Sequence, residues 1–383
     1  MATQVETIAA GVVVAVLMAS AFLWARIAAR LYARETIFPD QRSPSVPWGL
    51  IDVMVVVLIK MGMDVGMMAA ASRWLDVHFA SDQEKLTADQ LTVLLLATSI
   101  SNLLTTLVVV LLLRLRHANW ADFGLAARGI GSDIQLGFGA FVVLAVPMYA
   151  IQALLTQLLP PDHPIITLLV ENNDAGVFYL ACFAAVIGAP IAEELLFRVV
   201  LQGWLENVIR AIRAKHSDRA FVHVLSGQAG DYARYQRPLD YLDAVEKDAH
   251  GGDEQAEGDV RDGESWAESD PTQEQAPPVS EYPNEAPTAT NTGANISGGA
   301  IAASKNGRGT SPRTGRKWWP VIITSLLFAL AHFGQGPAPV PLFLLSLGLG
   351  YIYQRTGRIL PCIIVHALVN GSSLAALALS RGG

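Results

Sequence analysis

Long apolar runs separated by short polar connections set the pattern of this chain. They cover roughly residues 8–29, 48–71, 90–114, 133–158, 177–209, 319–334, 338–354 and 359–379. A helix crossing a bilayer needs about 20 mostly apolar residues. Backbone polar groups cannot stay unpaired in hydrocarbon, so continuous apolar runs of this length predict helices. Barrel strands would alternate apolar and polar positions, and these runs do not. The expected fold class is an all-α polytopic membrane protein with about seven to eight transmembrane helices. Within 177–209, the sequence Gly188-Ala189-Pro190 is a place where one long span could break into two.

One segment breaks the pattern. Residues 217–316 are rich in Asp, Glu, Gly, Pro, Ser and Thr and poor in large apolar residues. Such a composition buries too little surface to offset the entropy of ordering, so a long, mostly disordered acidic loop is expected there. Asn295-Ile296-Ser297 inside it matches a glycosylation sequon by pattern alone.

Charge sharpens this division. The chain is 52% hydrophobic and 16% charged, against about a quarter charged in an ordinary soluble domain. Residues 231–285 carry 16 acidic and 4 basic side chains, a net of −12, while the whole chain sums to −7, leaving +5 for the rest. A mildly basic apolar body with one acidic insert implies membrane lipid as a partner and gives no basic patch for nucleic acid. Arg26, Arg30, Arg34 and Arg42 follow the first run, Arg114, Arg116 and Arg128 the third, and Arg210, Arg213, Lys215 and Arg219 the fifth. The positive-inside rule places those loops and the insert in the cytoplasm and the N-terminus outside. The first run has Glu6 before it and its arginines after it, unlike a cleavable signal, so it reads as an uncleaved span. Cys182 and Cys362 lie in apolar runs and read as core residues. Lys60 and Asp64, four apart in the second run, read as a mutually compensating pair.

An ionisable side chain at mid-bilayer costs several kcal/mol, about 3 even on lenient insertion scales, and so needs a reason. Three clusters stand out. In Glu193-Glu194-Leu195-Leu196-Phe197-Arg198, Glu194 and Arg198 share a helical face and can neutralise each other. Glu193 points about a quarter-turn away, without an obvious local partner, and is the candidate general base. Phe328 and His332 share a face just before Gly334, Gly336 and Pro337 end the helix. His366 and Asn370 again lie one turn apart, and Asn370 has neutral N–H donors that could hold an oxyanion. Each cluster alone has a structural reading: an ion network, a hydrogen-bonded core histidine, a polar pair between helices. Together they place hydrolytic side chains on three helices. No internal repeat argues for a transporter.

These motifs resemble the CPBP family, which comprises type II CAAX prenyl proteases and bacterial relatives tied to bacteriocin processing or immunity. The family pattern is two adjacent glutamates with an arginine four after the second, then Phe-three-His, then His-three-Asn/Asp. Trp120-Ala121-Asp122-Phe123-Gly124-Leu125 is similar to a short element of many bacterial members. The resemblance implies residues 131–215 and 317–383 as the protease membrane core, 1–130 as N-terminal transmembrane helices and 216–316 as an insert. It implies a multi-pass protein of a cell membrane, such as a bacterial plasma membrane, acting on a membrane-associated peptide or protein, CAAX-type tails included. Glu193 and His332 would activate a water, His366 and Asn370 would stabilise the oxyanion, and Glu194, Arg198 and Phe328 would support the site. Relatives are often classed as metalloproteases. Glu193, His332 and His366 could supply the ligands of one divalent metal such as zinc, or Glu193 could act as a base alone; the metal-free reading is taken first. The competing reading is a non-catalytic binding or immunity protein on the same fold.

Overall fold

A computed structural model describes residues 2–38, 45–77, 87–159, 169, 174–213 and 318–381. The acidic insert and its sequon lie outside the described residues. Among the described residues the secondary structure is helical, without strands. Each predicted apolar run corresponds to a helix: α1 (Ala2–Tyr32), α2 (Leu50–Trp74), α3 (Ala88–Leu115), α4 (Ile130–Leu158), α5 (the continuous run from Ala175–Phe183 to Gly203–Arg213), α6 (Trp319–Ala331), α7 (Pro339–Thr356) and α8 (Leu360–Arg381). Six of these are long and apolar enough to cross a membrane, namely α1 to α5 and α8. The chain is a multi-pass membrane protein.

The other two differ. At about 1.5 Å per residue, the 13-residue α6 covers only ~20 Å of a core ~30 Å thick. The glycines after it stop it early: Gly334 and Gly336 take positive φ, at 98° and 59°. α7 packs back along α6, and Trp318 at the start of α6 stacks on Tyr351 near the end of α7, centroids 5.3 Å apart. The pair is a hairpin with His332 at its turn.

Local chemistry explains the helix ends. Thr87 caps α3 in a reciprocal box with Gln90. Asp174 caps α5 by accepting from the N–H groups of Gly176 and Val177. α7 ends at Gly357, in the left-handed region at φ 63°. That turn docks on the 120–125 element: Ile359 N–H donates to the Gly124 carbonyl at 3.2 Å, and Phe123 is buried beside Trp48 and Trp120. Gly124 has φ 71°, and a Cβ there would lie 2.8 Å from Gly357 O and from Ile359 N. Arg358 pairs with Asp133 on α4, so the start of α8 is held from two sides.

α5 does not break at Gly188-Ala189-Pro190. It widens instead into π-helical turns over Ala184–Gly188 and Leu195–Gln202, flanking the segment Ala189–Glu194. Pro190 supplies the cause, having no N–H to donate. Ala189 N–H reaches back five residues to Ala184 O. The Ala185 carbonyl is then left without a helical donor, because Pro190, five ahead of it, has none.

The main core gathers Trp48, Leu113, Phe123, Val199, Val200, Leu349 and Cys362, and α5 runs through it. Arg116 after α3 pairs with Asp52 at the start of α2, and Asn207 near the end of α5 donates to Val46 O before α2. The basic ends of α3 and α5 therefore lie on the same side as the start of α2.

Candidate active site

The first cluster spans the segment Ala189–Glu194 of α5, which carries Glu193 and Glu194, and the wide turn after it, which carries Arg198. Glu194 and Arg198 are both fully buried, with Arg198 Nε donating to Glu194 Oε2 at 3.0 Å. Arg198 Nη2 donates to Ser346 Oγ on α7 at 2.7 Å, and its guanidinium lies 5.7 Å from the centroid of the Phe328 ring. A buried ion pair is stable only when its remaining hydrogen-bonding groups are also matched. Here α7 and α8 supply most of the match: His366 Nδ1–H donates to Glu194 Oε1 at 2.9 Å, while Arg198 Nη1 is buried without a hydrogen-bond partner among the described residues.

This bond has a consequence for the imidazole. With Nδ1 as donor, His366 presents Nε2 on its other edge. His332, at the end of α6, does the same by a different route. Its Nδ1–H donates to the Phe328 carbonyl at 2.8 Å. Both Nε2 atoms face Glu193 Oε2, at 3.9 Å from His332 and 3.8 Å from His366. Glu193 Oε2 is buried and makes no hydrogen bond. The Glu193 and His332 side chains keep 23% and 18% exposure, against 3% and 0% for His366 and Glu194. Access to the group is therefore through Glu193 and His332.

Phe328 holds the assembly from the middle. It is fully buried and lies edge-on to Phe197 at 5.1 Å, tilted on His332 at 4.8 Å and edge-on to His366 at 5.7 Å. The structure thus brings together Glu193, Glu194, Arg198, Phe328, His332 and His366. Asn370 has another contact: its Nδ2 donates to Ala185 O at 2.7 Å. That carbonyl is the one stranded by Pro190, so Asn370 completes the backbone pairing of α5 and keeps a second N–H.

Sequence reasoning missed Ser346, a fully buried hydroxyl on an apolar helix that no spacing singles out. It also missed Gln202, which donates to Gly350 O at 2.9 Å and to Glu206 at 3.2 Å. A signal for Gln202 was present, since Glu194, Arg198, Gln202 and Glu206 recur every four residues.

A zinc ion here would take Glu193, His332 and His366 as ligands. Their chemistry suits it: two imidazole nitrogens oriented by bonds at the opposite ring nitrogen, and a carboxylate oxygen. Their Oε2–Nε2 separations of 3.9 and 3.8 Å are ~0.5 Å wider than those of ligands at about 2.0 Å around a tetrahedral ion. Among the described residues no cluster of three His, Cys, Asp or Glu is set to hold a metal.

No curated protein and no solved structure matches the chain. One family model does, over a stretch that starts beyond Glu193, Glu194 and Arg198. Residues 307–372, which hold Phe328, His332, His366 and Asn370, match the family described as Type II CAAX prenyl endopeptidase Rce1-like, the family that the three motifs resemble.

Proposed function

We propose that this protein is an intramembrane endopeptidase that hydrolyses membrane-associated peptides, prenylated CAAX-type tails among them, with Glu193 as general base. The convergence of Glu193 Oε2 with the Nε2 atoms of His332 and His366 carries this reading. The gaps of 3.8–3.9 Å exceed a direct hydrogen bond, and a water molecule touching both partners fits them. Two acceptors, Glu193 Oε2 and His332 Nε2, would orient that water toward a scissile carbonyl. Glu193 takes its proton as the oxygen attacks and later delivers it to the departing amine, so proton and bond changes balance. His366, clasped by Glu194 through Nδ1, stabilises the oxyanion when Nε2 carries a proton, aided by the second N–H of Asn370. Glu194, Arg198 and Phe328 fix the imidazoles. All these steps use the chain's own residues, in a cell membrane with the basic side cytoplasmic. Residues 131–215 and 317–383 form the protease core and 1–130 the helices around it.

The experiment is cleavage of a prenylated CAAX-type peptide by protein purified into lipid. Glu193→Gln is expected to lower the rate by a factor of about 10² to 10⁴, the usual worth of a general base, and chelation to leave the wild-type rate unchanged. Equal cleavage by wild type and Glu193→Gln would refute the assignment.

A further inference from the structure

Two buried polar atoms just beyond Glu194 make no hydrogen bond, and they are complementary. Arg198 and Gln202 are fully buried and stand four residues apart in the wide turn Leu195–Gln202. Arg198 Nη1 is a donor and Gln202 Oε1 an acceptor, and neither has a partner among the described residues. The other polar atoms of both side chains are in use. Arg198 donates through Nε to Glu194 and through Nη2 to Ser346. Gln202 donates through Nε2 to Gly350 O and to Glu206.

The partners on α7 keep step with them. Ser346 and Gly350 are again four apart, and each contact joins positions 148 residues apart. α5 and α7 therefore meet in register, one turn against one turn. Gly350 permits the close approach. A Cβ there would lie 2.9 Å from Val321 Cγ1, 3.2 Å from Gln202 Oε1 and 3.4 Å from Arg198 Nη1. The two unpaired atoms thus border one spot, which the glycine leaves free of a side chain. Buried polar groups are nearly always paired, and a bare guanidinium N–H costs more than a neutral one. A side-chain rotation that joins this donor to this acceptor satisfies both.

We propose that Gln202 is a positioning residue for the reaction at Glu193, its Oε1 accepting from Arg198 Nη1. The proposal rests on the hydrolase reading above. The effect passes along a line of buried contacts. Gln202 seats the Arg198 guanidinium, and Arg198 Nε holds Glu194 Oε2 at 3.0 Å. Glu194 Oε1 in turn holds His366 Nδ1 at 2.9 Å, which aims His366 Nε2 at Glu193 Oε2, 3.8 Å away. Gln202 itself touches none of the reacting atoms.

Two measurements on the full chain in lipid test it. An experimental density map is expected to place Arg198 Nη1 and Gln202 Oε1 about 3 Å apart; a separation beyond hydrogen-bond reach overturns the proposal. Gln202→Met keeps the length of the side chain and loses both amide atoms. It is expected to lower kcat about tenfold, the worth of one hydrogen bond to a charged group, with KM unchanged. Gln202→Glu keeps Oε1 and loses the Nε2 donor, and is expected to restore most of that rate. The bonds to Gly350 and Glu206 are lost in both variants, so an equal loss in the two, or an unchanged kcat in Gln202→Met, overturns the positioning role. The map decides the contact if Gln202→Met does not fold. Failure of the hydrolase reading shows separately, as wild-type cleavage by Glu193→Gln.

Discussion

The two adjacent glutamates differ in what they touch, and their substitution should separate the two roles. Glu194 is fully buried between Arg198 and His366. Removing one member of a buried ion pair strands the other charge and costs about 3–5 kcal/mol. Glu194→Ala, which strands Arg198, is therefore expected to lower thermal stability in detergent by that amount, and to lose activity with it. Glu193 makes no hydrogen bond through Oε2, so Glu193→Ala removes an unsatisfied carboxylate and should leave the melting temperature unchanged or raised while cleavage is lost. Thermal unfolding of the two variants side by side checks the contrast; similar destabilisation would mean both glutamates are structural. This division was partly legible from the residues. The spacing of Glu194 and Arg198 indicates their pairing, and Glu193 is left over. Ser346 was not legible, because a serine on an apolar helix carries no mark of the arginine it will meet.

The informative element is α5. A proline inside a helix usually costs about 3 kcal/mol or more through the lost hydrogen bond and the clash of its ring. Here a wide turn absorbs the ring, and Asn370 from α8 donates to the stranded Ala185 carbonyl. Asn370→Ala is expected to destabilise by about 1 kcal/mol, the net worth of a hydrogen bond to a half-buried acceptor. Pro190→Ala restores an N–H within reach of that carbonyl. Asn370→Ala should therefore cost less in the Pro190→Ala background than in the wild type, and strict additivity in a denaturation cycle would contradict the account. The sequence marks Gly188-Ala189-Pro190 as a possible break because it shows the missing donor. It does not show the amide that replaces it, since that contact joins positions 185 residues apart. The shortness of α6 has a different origin. There the sequence does show the stop, in Gly334, Gly336 and Pro337, and the two glycines take the positive φ that turns the chain.

On the scale of the molecule, the eight helical runs were legible because hydrocarbon admits few alternatives to a helix. Their mutual arrangement was not, because it depends on docking points scattered through the chain. The 120–125 element is one. Seen as a short resemblance, it is a seat for the turn that launches α8 and so positions His366. Gly124→Ala forces a side chain into a left-handed backbone and against two backbone atoms at 2.8 Å. A loss of about 1–3 kcal/mol is expected, together with lost activity at a residue remote from the chemistry; wild-type stability in this variant would remove the docking argument. All of these supports serve one arrangement, in which Glu193 and His332 act together on a single water. Residues that work as a unit are not additive in kinetics. The most direct measurement is the cleavage rate of Glu193→Gln, His332→Ala and the double variant against one substrate peptide. The double variant is expected to retain the residual rate of the slower single variant. If the two losses multiply instead, the side chains work independently and the shared site described here does not exist.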